Sequence, residues 1–175
     1  QCRGEYIAVC EGDDYWLSAD KLRKQVGQLD ANQDCAGSLH DAVVVNCDET
    51  VIRAGYHTPT RSRFDLAGCM CELRGHFPTC SMMFRAAVLA DPLPQWFVRH
   101  PCDILLLYLV GRSGDVLFRT DRWAAYRVHE EGVWQGATSR AQRRELLLHE
   151  RLISADPALW HTHGLIIGNR LQMLA

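Results

Sequence analysis

Residues 6–14 read Tyr-Ile-Ala-Val-Cys-Glu-Gly-Asp-Asp, a short apolar stretch that ends abruptly in acidic residues. The apolar part predicts a buried central β-strand, and its carboxyl end then carries the acids. In an extended chain Glu11 and Asp13 point to the same side of the backbone, which suits them to hold one hard divalent cation. The alternative interpretation is an ordinary polar turn after a strand.

The composition is that of a globular α/β protein with one sizeable core. The chain has 175 residues, of which 47% are hydrophobic and 23% charged, and its formal net charge is −2. This charge gives no field that would attract phosphate backbones, so nucleic acid is not an expected partner. No apolar stretch approaches the roughly 20 residues that a membrane-spanning helix needs.

Strand and helix patterns alternate along the chain after the acidic segment. Helical spacing of apolar residues follows Ser18, β patterns occupy 37–45 and 51–54, and a second apolar helix is expected from Cys102 to Val110. Further strands are predicted at 79–84, 116–118 and 124–128, and helices beyond Ser139. The pattern predicts an α/β domain over 1–137 and a helical tail over 138–175.

The eight cysteines are scattered through segments with core-forming patterns. We interpret them mostly as buried free thiols, since a chain of this length needs no disulfide staples. The set Cys69, Cys71, His76 and Cys80 contains ligand types that zinc prefers, but its spacing differs from that of zinc knuckles. A zinc site is therefore the less favoured interpretation.

Four blocks in order resemble the family-2 glycosyltransferases. They are residues 4–16 (Gly-Glu-Tyr-Ile-Ala-Val-Cys-Glu-Gly-Asp-Asp-Tyr-Trp), 77–85 (Phe-Pro-Thr-Cys-Ser-Met-Met-Phe-Arg), 93–97 (Leu-Pro-Gln-Trp-Phe) and 126–134 (Tyr-Arg-Val-His-Glu-Glu-Gly-Val-Trp). The resemblance implies a partial GT-A fold, a three-layer α/β sandwich with a mixed sheet. It also implies that the strand–helix–strand unit for the nucleoside is missing, and Gln1 in place of Met agrees with a cut start.

The resemblance further implies an inverting, metal-dependent transfer of a sugar from a nucleotide-diphospho-sugar to an acceptor hydroxyl. In that family the acidic motif binds Mn²⁺ or Mg²⁺ and the donor diphosphate, which assigns Glu11, Asp13 and His129 to the metal. Glu11 stands where the family has aspartate, so its extra methylene moves the carboxylate. Asp14, Arg127 and Trp134 are the residues expected at the donor.

The general base of inverting members corresponds to Asp103, at the start of the helix that follows the tryptophan-phenylalanine block. Capping that helix is the structural alternative for Asp103. Arg127 has the alternative of pairing with an acid of the sheet, His129 that of a structural histidine, and Trp134 that of covering the core.

The resemblance implies a saccharide, lipid-linked or protein acceptor and a cytoplasmic location, with peripheral association with the membrane left open. A nucleotidyltransferase is an alternative, because it would also hold a cation on acids at a strand end. An inactive fragment or a noncatalytic nucleotide- or sugar-binding module is the third interpretation.

Overall fold

The computed structural model describes residues 3–89, 92–129, 138, 140, 144, 147–149 and 151–152. In these residues the protein has a mixed α/β fold built on one mixed sheet. The strands are β1 (Tyr6–Ala8), β2 (Tyr15–Trp16), β3 (Cys35–Val45), β4 (Val51–Arg53), β5 (Arg63–Phe64), β6 (Met83–Arg85) and β7 (Asp115–Arg127). The helices are α1 (Lys21–Ala31), α2 (Leu66–Gly68, continued by a π-helical turn at Cys69–Leu73), α3 (Gln95–Arg99) and α4 (Asp103–Ser113).

The long strands β3 and β7 form the middle of the sheet and run parallel to each other. The strand order is β1-β6-β3-β7-β2, with β4 added to β3 and β5 added to β7, and all of the other pairs are antiparallel. Of the apolar stretch at 6–10, Tyr6–Ala8 forms a half-buried strand, and this strand lies at the edge of the described sheet and not at its centre as expected. An apolar pattern reports burial and does not specify which neighbours a strand has.

Helices cover both faces of the sheet. Side chains alternate along the strands, so Phe84 and Val116 join the larger core with α4, whereas Met83 and Leu117 pack with Leu29 of α1 on the opposite face. This layering agrees with the expected α/β class.

Two local predictions differ from the structure. The residues expected to form a strand at 79–84 begin as a 3₁₀ turn at Thr79–Ser81, and only Met83–Arg85 is strand. The two short strands expected near the C-terminal end of the domain are one strand, Asp115–Arg127. Polar residues between its apolar ends concealed the continuity, because the pairing with β3 is irregular there.

The predicted helical tail lies mostly outside the described residues. Of its positions, 140, 144, 147–149 and 151–152 are helical.

Candidate functional site

The acidic residues after β1 lie beside the C-terminal end of β7. Strand β2 follows them directly and pairs with β7 through Tyr15↔Ala125 and Trp16↔Ala124. This pairing carries the acids to the point where β7 ends and the chain continues to His129. Two segments that are distant in sequence thus form one site.

Asp13 and His129 are in direct contact. Asp13 Oδ2 lies 3.0 Å from His129 Nε2, although 116 residues separate them in the chain. Both side chains keep access to solvent, with exposed fractions of 43% and 23%. The structure therefore brings together two of the three residues predicted to bind a metal.

Asp14 is buried behind this pair. Its Oδ1 accepts a hydrogen bond of 2.8 Å from the backbone amide of Arg127. Burial raises the pKa of Asp14, and the Arg127 amide acts in the opposite direction. The Cys80 thiol is the hydrogen-bond neighbour of the buried carboxyl group. Asp14 therefore holds the acidic loop to the end of β7 from its buried side.

Arg127 is engaged by protein atoms. Its guanidinium donates to the backbone oxygens of Asp13 (2.9 Å), Asn46 (3.3 Å) and Cys47 (3.1 Å), and to Glu49 Oε1 (3.2 Å). These contacts fasten the acidic loop to the turn between β3 and β4. They indicate that Arg127 holds the two loops together, and donor binding by Arg127 stays a prediction.

The carboxyl group of Glu11 lies in an acidic environment. Although Glu11 is exposed to solvent, enough protein surrounds its carboxyl group for desolvation to raise its pKa to about 7, and the charges of Asp14, Asp103 and Asp13 act in the same direction. Asp103 is the first residue of α4, and its Oδ1 accepts a hydrogen bond of 2.7 Å from the Ile104 amide. The charge at the start of α4 is thus felt at the acidic loop, and a shared cleft for Asp13 and Asp103 stays a prediction.

The Asp13–His129 pair fits a divalent cation in part. Two ligands at right angles around Mg²⁺ or Mn²⁺, each at about 2.1 Å, lie about 3 Å apart, which matches this pair. Within the described part of the chain, no three His, Cys, Asp or Glu side chains form a group that could hold a metal ion. Mg²⁺ commonly takes one or two carboxylates and completes its shell with substrate phosphates and water. Direct ligation by Glu11 stays a prediction.

The remaining predicted residue, Trp134, lies outside the described residues. The zinc alternative gains no support from the described residues, because Cys69 and Cys80 are buried while His76 is exposed. Burial raises the pKa of both thiols, which keeps them protonated. The expectation of mostly buried thiols holds only in part: among the described cysteines Cys35, Cys69 and Cys80 are buried, whereas Cys10 and Cys47 are exposed.

Asp41, which holds a further loop segment near the site, was not identified from the sequence. Asp41 lies within β3, is fully buried, and accepts hydrogen bonds from the backbone amides of Tyr56 (2.7 Å) and His57 (3.0 Å). The available signal was an acid in the apolar stretch 39–45, because a buried charge requires partners.

Comparisons with known proteins place the chain beside uncharacterized mycobacterial proteins. It is 31% identical over 163 residues to uncharacterized proteins of Mycobacterium bovis and of two Mycobacterium tuberculosis strains. The match covers 93% of this chain and 46% of each relative, so the chain spans about half their length. No protein-family model matches the sequence. Among the described residues, no helix has the length and apolar character to cross a membrane.

Proposed function

We propose that this chain is the metal-binding and acceptor-side part of an inverting glycosyltransferase with a GT-A fold. The observation that carries the proposal is the meeting of Asp13 with His129 at 3.0 Å, in a region that also contains Glu11, Asp14 and Asp103. The resemblance of four ordered sequence blocks to family-2 glycosyltransferases supports it independently. Together these features favour transfer from a nucleotide-diphospho-sugar to an acceptor hydroxyl.

Asp13 and His129 are the residues that would hold the divalent cation, with Glu11 as the further candidate. Once bound, the cation would neutralise charge on the donor diphosphate as it leaves. Asp14 is buried next to this pair and holds the backbone amide of Arg127, so in this proposal it supports the donor site from behind. Arg127 keeps the acidic loop in position through its contact with the Asp13 backbone.

Asp103 acts as the general base in this proposal. Its carboxylate takes the proton from the acceptor hydroxyl while that oxygen bonds to the anomeric carbon. The bond between the anomeric carbon and the diphosphate oxygen breaks on the opposite face, and the electron pair leaves with the nucleoside diphosphate. A single displacement inverts the anomeric configuration without a covalent enzyme intermediate.

The test uses the full-length protein that carries this chain, with Mn²⁺ and a panel of nucleotide-sugars. Calorimetry measures donor binding, and release of nucleoside diphosphate measures turnover. We expect Asp103→Asn to lower turnover at least 100-fold while donor affinity stays within about twofold, since general-base catalysis contributes about 10²–10⁴-fold. Asp13→Ala should instead weaken donor binding in the presence of Mn²⁺.

The matched control is Asp30→Asn, which removes an exposed acid from α1 and should keep wild-type turnover. Full activity of Asp103→Asn would eliminate the base assignment. Pyrophosphate release from nucleoside triphosphates, without turnover of nucleotide-sugars, would favour a nucleotidyltransferase. Binding without any turnover would favour a noncatalytic module. We place the reaction on the cytoplasmic side of the cell, in polysaccharide, glycolipid or glycoprotein synthesis, as the family resemblance suggests.

A further inference from the structure

The buried carboxylate of Asp41 accepts hydrogen bonds on both of its oxygens and holds the segment 55–57 in place. Its Oδ1 accepts the backbone amides of Ala42 (2.9 Å), Tyr56 and His57, and its Oδ2 accepts from Arg122 Nε at 3.0 Å. The carboxylate is fully buried, so these four donors offset the cost of removing its charge from water. The side chain of Tyr56, in the middle of this segment, is thereby held in one position.

Gly55 makes this close approach possible. A Cβ at this position would lie 2.6 Å from Asp41 Oδ2 and 3.2 Å from a guanidinium nitrogen of Arg122. Asp41 and Arg122 hydrogen-bond each other, so neither can move away from a Cβ at position 55 without losing this bond. Gly55 is therefore part of the same anchoring arrangement.

The side chain that the anchor presents is Tyr56. Its ring packs edge-on against Tyr126 with centroids 4.9 Å apart, and the Arg53 guanidinium lies 5.2 Å from the ring centroid. Tyr126 immediately precedes Arg127, whose amide bonds to Asp14. Both tyrosine rings also pack against the core cluster that contains Cys80, the neighbour of Asp14, so Tyr56 lies at the buried side of the candidate site.

The Tyr56 hydroxyl is a hydrogen-bond donor without an acceptor in the described part of the chain. Burial is the main cause that raises the pKa of Tyr56 to about 12, and the charge of Asp103 adds to it, so the phenol stays protonated at neutral pH. Among the described residues, no side chain or backbone group forms a hydrogen bond with this hydroxyl, Asp103 included. A half-buried donor is thus available to a ligand at the candidate site.

We propose that Tyr56 is an acceptor-binding residue whose hydroxyl donates a hydrogen bond to an oxygen of a saccharide acceptor, orienting the neighbouring acceptor hydroxyl toward Asp103. This inference rests on the proposed transferase function. A saccharide fits because it offers adjacent oxygens, one for Tyr56 and one for the base. The bonds that form and break are those of the transfer already described.

The experiment compares transfer with hydrolysis in the full-length protein. Nucleotide-sugar and Mn²⁺ are supplied with p-nitrophenyl glycosides as acceptor probes, and glycosylated product is measured against total release of nucleoside diphosphate. Tyr56→Phe removes one oxygen atom, and we expect the ratio of transfer to hydrolysis to fall about tenfold, as for loss of a hydrogen bond to the substrate. Tyr6→Phe is the control, because its hydroxyl contacts Asp30 and Arg85 and not the site.

A second variant, Asp41→Asn, tests the anchor. It should lower the same ratio together with the melting temperature, because a charged acceptor of four hydrogen bonds is lost. An unchanged ratio in Tyr56→Phe, or wild-type hydrolysis without transfer to any glycoside, overturns this inference alone. A wild-type protein that neither binds nor cleaves any nucleotide-sugar overturns the proposed function, and the role of Tyr56 with it.

Discussion

Acidification should destabilise this protein through His40. The imidazole is fully buried in β3, its Nδ1 lies 2.6 Å from the backbone oxygen of Asp41, and its Nε2 has no hydrogen-bond partner among the described residues. The carbonyl accepts, so Nδ1 carries the proton and the ring is neutral. Burial lowers the pKa of His40 from 6.5 to about 4.

The direction of the pH dependence follows from these two values. The unfolded chain takes up a proton near pH 6.5, whereas the folded protein resists it until about pH 4. Stability is therefore fully present above pH 6.5 and is lost as the pH falls toward 4. The loss from this residue amounts to about 2 kcal/mol between pH 7 and pH 5 and approaches about 3 kcal/mol below pH 4, because each pKa unit corresponds to about 1.4 kcal/mol.

Urea unfolding of wild type and His40→Asn at pH 7 and pH 5 measures this loss. The asparagine amide can still donate to the Asp41 carbonyl, but it does not titrate. The carboxyl of Glu11, whose pKa is raised to about 7, stabilises the folded state on acidification and acts in the opposite direction. The informative quantity is therefore the difference between the two proteins. Equal losses in both would refute a neutral, buried His40.

Two further predictions concern stability and use urea unfolding as the measurement. Burial lowers the pKa of Lys21 to about 8, so wild type should gain about 2–3 kcal/mol of stability between pH 7 and pH 10 relative to Lys21→Met; parallel pH profiles of the two proteins would contradict a buried Lys21 ammonium. Gly37→Ala should cost about 1–3 kcal/mol, because its Cβ would lie 2.5 Å from the stiff side chain of Val110. The control Gly27→Ala has open space in the exposed middle of α1 and should stabilise by about 0.5–1 kcal/mol, so a gain from both changes would disprove the tight packing at Gly37.

The structure confirms the two long helices predicted within the described part of the chain, because helix-forming patterns depend on residues close together in sequence. The helix after Ser18 begins at Lys21 with Asp20 as its N-cap and ends at Ala31, and the apolar helix runs from Asp103 to Ser113. Helix periodicity and breakers depend on residues within a few positions of each other. Strand boundaries were less accurate, since the continuity of Asp115–Arg127 depends on its partner Cys35–Val45 and not on its own residues.

The candidate site shows the same contrast between features that local sequence determines and features that depend on long-range contacts. The sequence itself determined that acids follow a short strand, that an aspartate begins the apolar helix, and that a histidine follows the last strand, because residue order and local conformation determine these features. Only the tertiary structure decided that Asp13 meets His129, that Arg127 is held by neighbouring loops, and that Asp41 presents Tyr56 beside the site. These contacts join residues tens of positions apart, and their geometry depends on strand pairing and burial, which no local pattern encodes.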